Sequence, residues 1–136
     1  MAAMSDYLEV QIRAHIFRTA SFTKPTVLAV GLFTAAPSDS GGGTEVSGGS
    51  YARVQRDPLD ANWTAASGTD GLTDNAAALT FPAPSANWGV VTHFGIFDAT
   101  SAGNLLLHGA LTTPKTINNG DPAPAFAIGA LDITFA

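Results

Sequence analysis

WGVVTHFGIFDATSAGNLLLHGALTTPKTI, residues 88–117, consists of two alternating apolar runs joined by a Ser-Ala-Gly-Asn turn, and its reading decides the fold. Strand side chains point to opposite faces with a period of two residues. In the first arm Val91, His93, Gly95 and Phe97 therefore face one way, and Thr92, Phe94, Ile96 and Asp98 the other. In the second arm Leu105, Leu107 and Gly109 alternate with Leu106, His108 and Ala110. Neither face is polar. A hairpin apolar on both sides needs cover on both, from a second sheet together with either a helix or another protein chain.

Outward from the hairpin, TVLAVGLF (26–33) is rich in β-branched and large apolar residues without helical spacing, and reads as a strand buried on both faces. Residues 35–50 hold five glycines without periodicity and read as a surface loop, either flexible or clamped by a partner. Short strands are expected over 51–56, with Tyr51, Arg53 and Gln55 on one face, and over 76–81. Asp74-Asn75 and a Ser-Gly-Thr-Asp-Gly turn at 67–71 separate them. Residues 125–128 and 131–135 form a last pair, and Pro122 and Pro124 place its first member at a sheet edge.

Near the N-terminus Asp6 and Glu9 form a capping box, followed by Leu8, Ile12 and Ile16 on one stripe. This predicts a helix over about residues 6–18. Val10, Ala14 and Phe17 add a second apolar flank, so the helix is expected to bury more than half its circumference. It either packs across an open end of the fold or anchors the protein on a neighbour. In the second case Leu8, Ile12, Ile16 and Phe17 are the candidate assembly interface.

Short strands punctuated by Gly and Pro, with no βα alternation, predict a single mainly β domain over residues 1–136. The expected architecture is an antiparallel β-sandwich of seven to eight strands, jelly-roll or immunoglobulin-like, with one N-terminal α-helix. No repeat of 20–50 residues and no heptads occur, so the chain carries no fibrous shaft of its own.

Only 12% of residues are charged against 46% hydrophobic. A soluble domain averages roughly 25% charged, so part of this surface is expected to be covered. A formal charge of -5, with six scattered Lys and Arg, argues against nucleic acid as a partner. There is no cysteine, hence no disulfide framework and no thiolate chemistry. No membrane span and no basic-plus-apolar leader is visible, so the chain is expected to be soluble and not Sec-exported.

No catalytic site is expected. Serine, histidine and aspartate all occur, but no serine sits in a nucleophile elbow. His93 and His108 could be cross-strand neighbours, yet zinc would need further ligands that the spacing does not supply, so no metal and no cofactor are expected. The aspartates at 70, 74, 98 and 121 sit in turns, where Asx hydrogen bonding accounts for them. Trp63 and Trp88, beside Asn and Gly, are candidate receptor or glycan contacts; the plainer reading is that they plug the end of the fold.

TEVSGGSYAR (44–53), WGVVTHFGIFDA (88–99), GNLLLHGALTTPKTI (103–117), a Gly-Asp turn and the ending LDITFA together resemble a family of small tailed-bacteriophage proteins usually labelled tail fibre protein. The likeness includes the helix and LAVGLFTAAPSD (28–39); it departs in the stretch 57–79, which puts the pairing of that loop in doubt. The resemblance implies a structural component of the virion, assembled in the host bacterial cytoplasm, and no chemistry. With no room for a shaft and mounting domain, the favoured expectation is a head-decoration (cement) protein binding the major capsid protein, as a homo-oligomer and by preference a trimer. The alternative is a tail fibre or tail-tip protein contacting tail proteins and a host receptor. An alternative of another class is a free carbohydrate-binding module.

Overall fold

A computed structural model describes residues 2–65 and 71–134. The elements in chain order are β1 (Ala2–Met4), α1 (Asp6–Phe17), β2 (Ala29–Ala35), β3 (Thr44–Glu45), β4 (Val54–Gln55), β5 (Leu72–Thr73), β6 (Leu79–Thr80), β7 (Gly89–Phe97), β8 (Leu105–Ile117), β9 (Ala125–Phe126) and β10 (Ile133–Thr134). The fold is mainly β, its strand pairs are antiparallel, and the sheets do not close into a barrel. The expected turn at 67–71 lies outside the described residues except for Gly71, as does Phe135 of the expected last strand.

The predicted hairpin is the centre of the molecule. β7 and β8 pair antiparallel from Gly89↔Ile117 to Phe97↔Leu105. The turn between them is closed by Asp98, whose Oδ1 accepts the Asn104 N–H at 2.6 Å while Oδ2 accepts Asn104 Nδ2 at 2.7 Å. A main sheet grows from this hairpin in the order β1-β8-β7-β2-β3, with β4 also on β2. Period-two alternation fails at two places. The β7–β8 register shifts between Val91 and His93, and Val91 joins Phe94 and Ile96 in the core. It shifts again between Ile96 and Phe97, opposite which Leu106 and Leu107 both reach the core.

Two two-stranded ribbons, β5 with β10 and β6 with β9, accompany the sheet. Residues 125–128 and 131–135 were expected to pair with each other; instead β9 takes β6 and β10 takes β5. Most of these strands are two residues long, too short to show alternation. One core unites both layers: Val30, Leu32, Phe94, Ile96, Leu106 and Leu107 from the sheet meet Leu79, Phe81, Leu131 and Ile133 from the ribbons and their flanks. Tyr51, Trp88, Phe81 and Phe126 continue it as a run of ring contacts 5.3–6.4 Å between centroids.

The N-terminal segment contributes a strand that composition does not announce. β1 runs along the free edge of β8, Ala2 opposite Gly109 and Met4 opposite Leu107. Ser5 continues this pairing, its N–H donating to Leu106 O at 2.9 Å. There the chain turns into α1. The N-cap is therefore Ser5 and not Asp6: Ser5 Oγ accepts the Leu8 N–H at 3.2 Å and donates to Leu105 O at 2.6 Å. Asp6 and Glu9 occupy the first turn, where negative charge favours the helix dipole. The helix ends at Phe17, with the Arg18 N–H on Ala14 O.

Ser5→Ala is expected to cost about 2 kcal/mol, roughly 1 for the lost cap and the rest for a Leu105 carbonyl left without its hydroxyl donor. Chemical denaturation should show the midpoint falling at unchanged m-value.

Candidate interaction surface

Within the chain, the second face of the hairpin is covered by loops and not by a second sheet or a helix. Phe33 and Phe97 stack there at 6.1 Å, on either side of a floor formed by Gly31 and Gly95. A Cβ on Gly95 would stand 2.8 Å from the Phe33 ring and 2.9 Å from Leu105, and one on Gly31 would stand 2.8 Å from Glu45 Oε1. A side chain at Gly31 would displace the Glu45 carboxylate, and one at Gly95 the Phe33 ring and the tip of Leu105. Arg53 lies over the Phe97 ring at 3.4 Å, a cation–π contact.

The same guanidinium forms a bidentate pair with Glu45, Nε to Oε1 and Nη2 to Oε2, both 2.7 Å. Its Nη1 donates to Ala99 O and Ala102 O in the hairpin turn. Tyr51 completes the cluster, donating to Glu45 Oε1 and accepting the Leu32 N–H, each at 2.9 Å. Burial pushes the Tyr51 phenol above its ordinary pKa, the charge of Glu45 adds to the rise, and the Leu32 N–H opposes it. The phenol stays protonated and serves as a donor. The sequence placed Tyr51 and Arg53 on one face; Glu45, inside the glycine-rich loop, carried no periodic signal.

That loop is fastened by the chain itself. Asp39 O accepts the Asp6 N–H at 2.8 Å, Asp39 Oδ1 lies 3.0 Å from His108 Nε2, and Ser38 and Gly41 exchange backbone hydrogen bonds. Between loop and sheet remains a cleft of about 560 Å³, floored by Phe33, Phe97 and Leu105 and walled by Asp6, Asp39 and Gly41 to Gly43. His93 pairs with Ala110 and His108 with Gly95, so the two rings are offset diagonally along the hairpin. Among the described residues no group of three His, Cys, Asp or Glu is placed to hold a metal ion.

The helix presents a different kind of surface. Of the four candidate interface residues, Leu8 is buried in the core, and Ile12 is partly buried and packs against it. Ile16 is 63% exposed and Phe17 80%. The flank formed by Val10, Ala14 and Phe17 is not buried as expected: Val10 and Phe17 are exposed, together with Tyr7, and Ala14 is half-buried. The sheet is reached by one stripe only, because α1 sits at the edge over β1 and β8.

Beside the helix opens an apolar groove of about 510 Å³, lined by Leu8, Phe22, Leu28, Leu59, Trp63, Ile96 and their neighbours. Trp63 is half-buried at this groove, its Nε1 donating to Arg56 O at 3.1 Å. Trp88 differs. It is 6% exposed, edge-on to Tyr51, with Nε1 on Gly49 O at 2.9 Å, and so offers no ring face to a sugar. Its sequence-based candidacy as a glycan contact is withdrawn, and it plugs the core.

Residues 3–134 match the family described as Podophage GP4 fiber I protein gp80. The chain belongs to this phage fibre family. The match spans nearly the whole chain and agrees with the resemblance carried by residues 44–53, 88–99 and 103–117. No curated protein matches the chain. Membership of a fibre family makes the protein a structural component of the virion. Among the described residues no helix is long and apolar enough to cross a membrane.

Proposed function

We propose that this member of the fibre family is a non-catalytic structural module of the tail fibre apparatus, held in the particle by apolar contacts with other virion proteins. The observation that carries the reading is the family match over residues 3–134. The low charge and the exposed flank of α1 support contact with a neighbour. Its action is mechanical: apolar area buried between components raises the free energy needed to separate them. In this reading the β5–β10 and β6–β9 ribbons are the reduced second layer of a jelly-roll or immunoglobulin-like sandwich.

Head decoration, in keeping with the low charge, would use the same apolar contacts against the major capsid protein. The two roles differ in number. Quantitative mass spectrometry of purified virions is expected to give a handful to a few dozen copies per particle, with gold-labelled antibody at the tail. Hundreds of copies, with label over the head, would overturn the fibre assignment in favour of decoration.

A further inference from the structure

We infer that residues 38–41, the tip of the glycine-rich loop, form a lid on the cleft over the second face of the hairpin, latched by His108 and released as that imidazole loses its proton. The tip is a unit of its own. Ser38 and Gly41 exchange backbone hydrogen bonds at 3.0 and 2.8 Å, and Ser38 Oγ donates to Gly41 O at 2.7 Å. The root of the loop is fixed, because Gly43 lies so close to the start of the loop that a Cβ there would stand 2.7 Å from Pro37 N and 2.8 Å from Ala35 O. Between tip and root, Gly42 has φ +78° and open space for at least 4 Å around the place a Cβ would take. Glycine leaves that conformation for others at little cost. A stiff tip, an anchored root and a free joint make a hinge.

Asp39 carries both hydrogen bonds that tie the tip to the rest of the described residues. Its carbonyl accepts the Asp6 N–H at the head of α1, and its Oδ1 meets His108 Nε2. The His108 side chain is 12% exposed and that of Asp39 58%, so the imidazole is the fixed half of the latch and the carboxylate the half that swings. Histidine ordinarily changes charge between about pH 5 and 8. As an imidazolium, His108 donates to an opposite charge; once neutral it keeps at most a plain hydrogen bond, roughly half as strong. The latch is therefore tight in acid and slackens as pH rises. On the elements packed here the acids are Asp39, Asp6 and Glu9 in the first turn of α1, and Glu45 in the cleft, and all of them favour the imidazolium. The Arg53 guanidinium is taken up by Glu45, and β1 brings no titratable side chain. His93, offset diagonally on β7, is the one group whose charge would oppose the latch. A raised tip widens the cleft above Phe33, Phe97 and Leu105, a floor that the closed loop walls in. The inference is independent of which part of the particle carries the protein.

The test is amide hydrogen exchange followed by NMR on the purified full chain. The Asp6 N–H exchanges only when Asp39 lets go of it, whereas the Glu9 N–H, bonded to Ser5 O, belongs to the helix and serves as the internal control. Each rate is divided by the intrinsic rate at the same pH. Protection of Asp6 relative to Glu9 is expected to fall roughly 3- to 10-fold between about pH 5.5 and about pH 8. His108→Gln keeps a neutral donor of similar reach and should make the ratio independent of pH, and Asp39→Asn should do the same. His93→Gln should keep the native profile. A native ratio that does not change with pH, the same fall in His108→Gln or Asp39→Asn, or its loss in His93→Gln would overturn the inference. Virion copy number would be unaffected by any of these results, so failure here is distinct from failure of the fibre assignment.

Discussion

Asn75→Leu is expected to destabilise the protein by about 3–4 kcal/mol, although leucine has the same branched skeleton as asparagine. Asn75 is fully buried. Its Nδ2 donates to Ala77 O at 2.9 Å and to Ala127 O at 2.8 Å, and its Oδ1 accepts the Leu131 N–H at 2.9 Å. Its backbone carbonyl accepts the Gly129 N–H. One side chain thus ties the segment before β6 to the loop between β9 and β10, two stretches with no ladder of their own at that point. Leucine leaves the Leu131 N–H and the Ala77 carbonyl without their partners, each costing about 1–3 kcal/mol before relaxation, and takes one donor from the Ala127 carbonyl, which keeps the Ala130 N–H.

The Asn75→Asp variant separates hydrogen bonding from shape. Aspartate keeps the acceptor for Leu131 but points a second oxygen at two carbonyls, so burial and these neighbours should raise its folded-state pKa above the unfolded value of about 3.9. The folded state then binds the proton more tightly. Relative to wild type, the deficit should be largest above the raised pKa and should shrink as pH falls towards the unfolded value. Urea titrations of variant and wild type at several pH values read this directly. A deficit independent of pH would show that the Asn75 donors are not what holds the two segments.

Arg53→Met is expected to cost about 2–3 kcal/mol. It removes the bidentate partner of Glu45, two donors to the 99–102 turn, and the cation over Phe97. Breaking a fully buried ion pair costs about 3–5 kcal/mol. The figure here is lower because the Glu45 side chain keeps 26% of its exposure, against 10% for Arg53. Glu45 retains the Tyr51 hydroxyl, so Glu45→Gln alone should be milder, and the double variant should lose less than the sum of the two. Denaturation of all four proteins gives the coupling energy. Strict additivity would mean that the pair contributes through its packing on Phe97 and not through charge.

The same two sites mark what could be read from residue order. The hairpin and the helix announce themselves because each repeats its apolar spacing over seven residues or more, β2 because it is an unbroken apolar run, and the Asp98 turn follows from its composition. Asn75 reads as turn punctuation after Asp74, and nothing local distinguishes a solvated turn asparagine from one buried by a segment fifty residues away. The paired apolar faces of residues 88–117 demanded cover, but the cover is a glutamate, a tyrosine and an arginine on glycines 31 and 95, a constellation without period. β5, β6, β9 and β10 are too short for alternation to register. At the interaction surface the two stripes of α1 were visible, while which stripe turns inward depended on β1 and the Ser5 cap. Trp63 and Trp88 had the same local signal and were separated by burial alone.

That separation turns the two tryptophans into built-in optical probes. The chain has two indoles, one sealed against Tyr51 and the other at the groove. In a Trp88→Phe protein the remaining emission comes from Trp63, so its wavelength and its quenching by iodide report the surroundings of the groove. In a Trp63→Phe protein they follow melting of the core. Changes at the groove and melting of the core, which overlap in most light-based assays, can then be followed as separate colours in one unlabelled molecule.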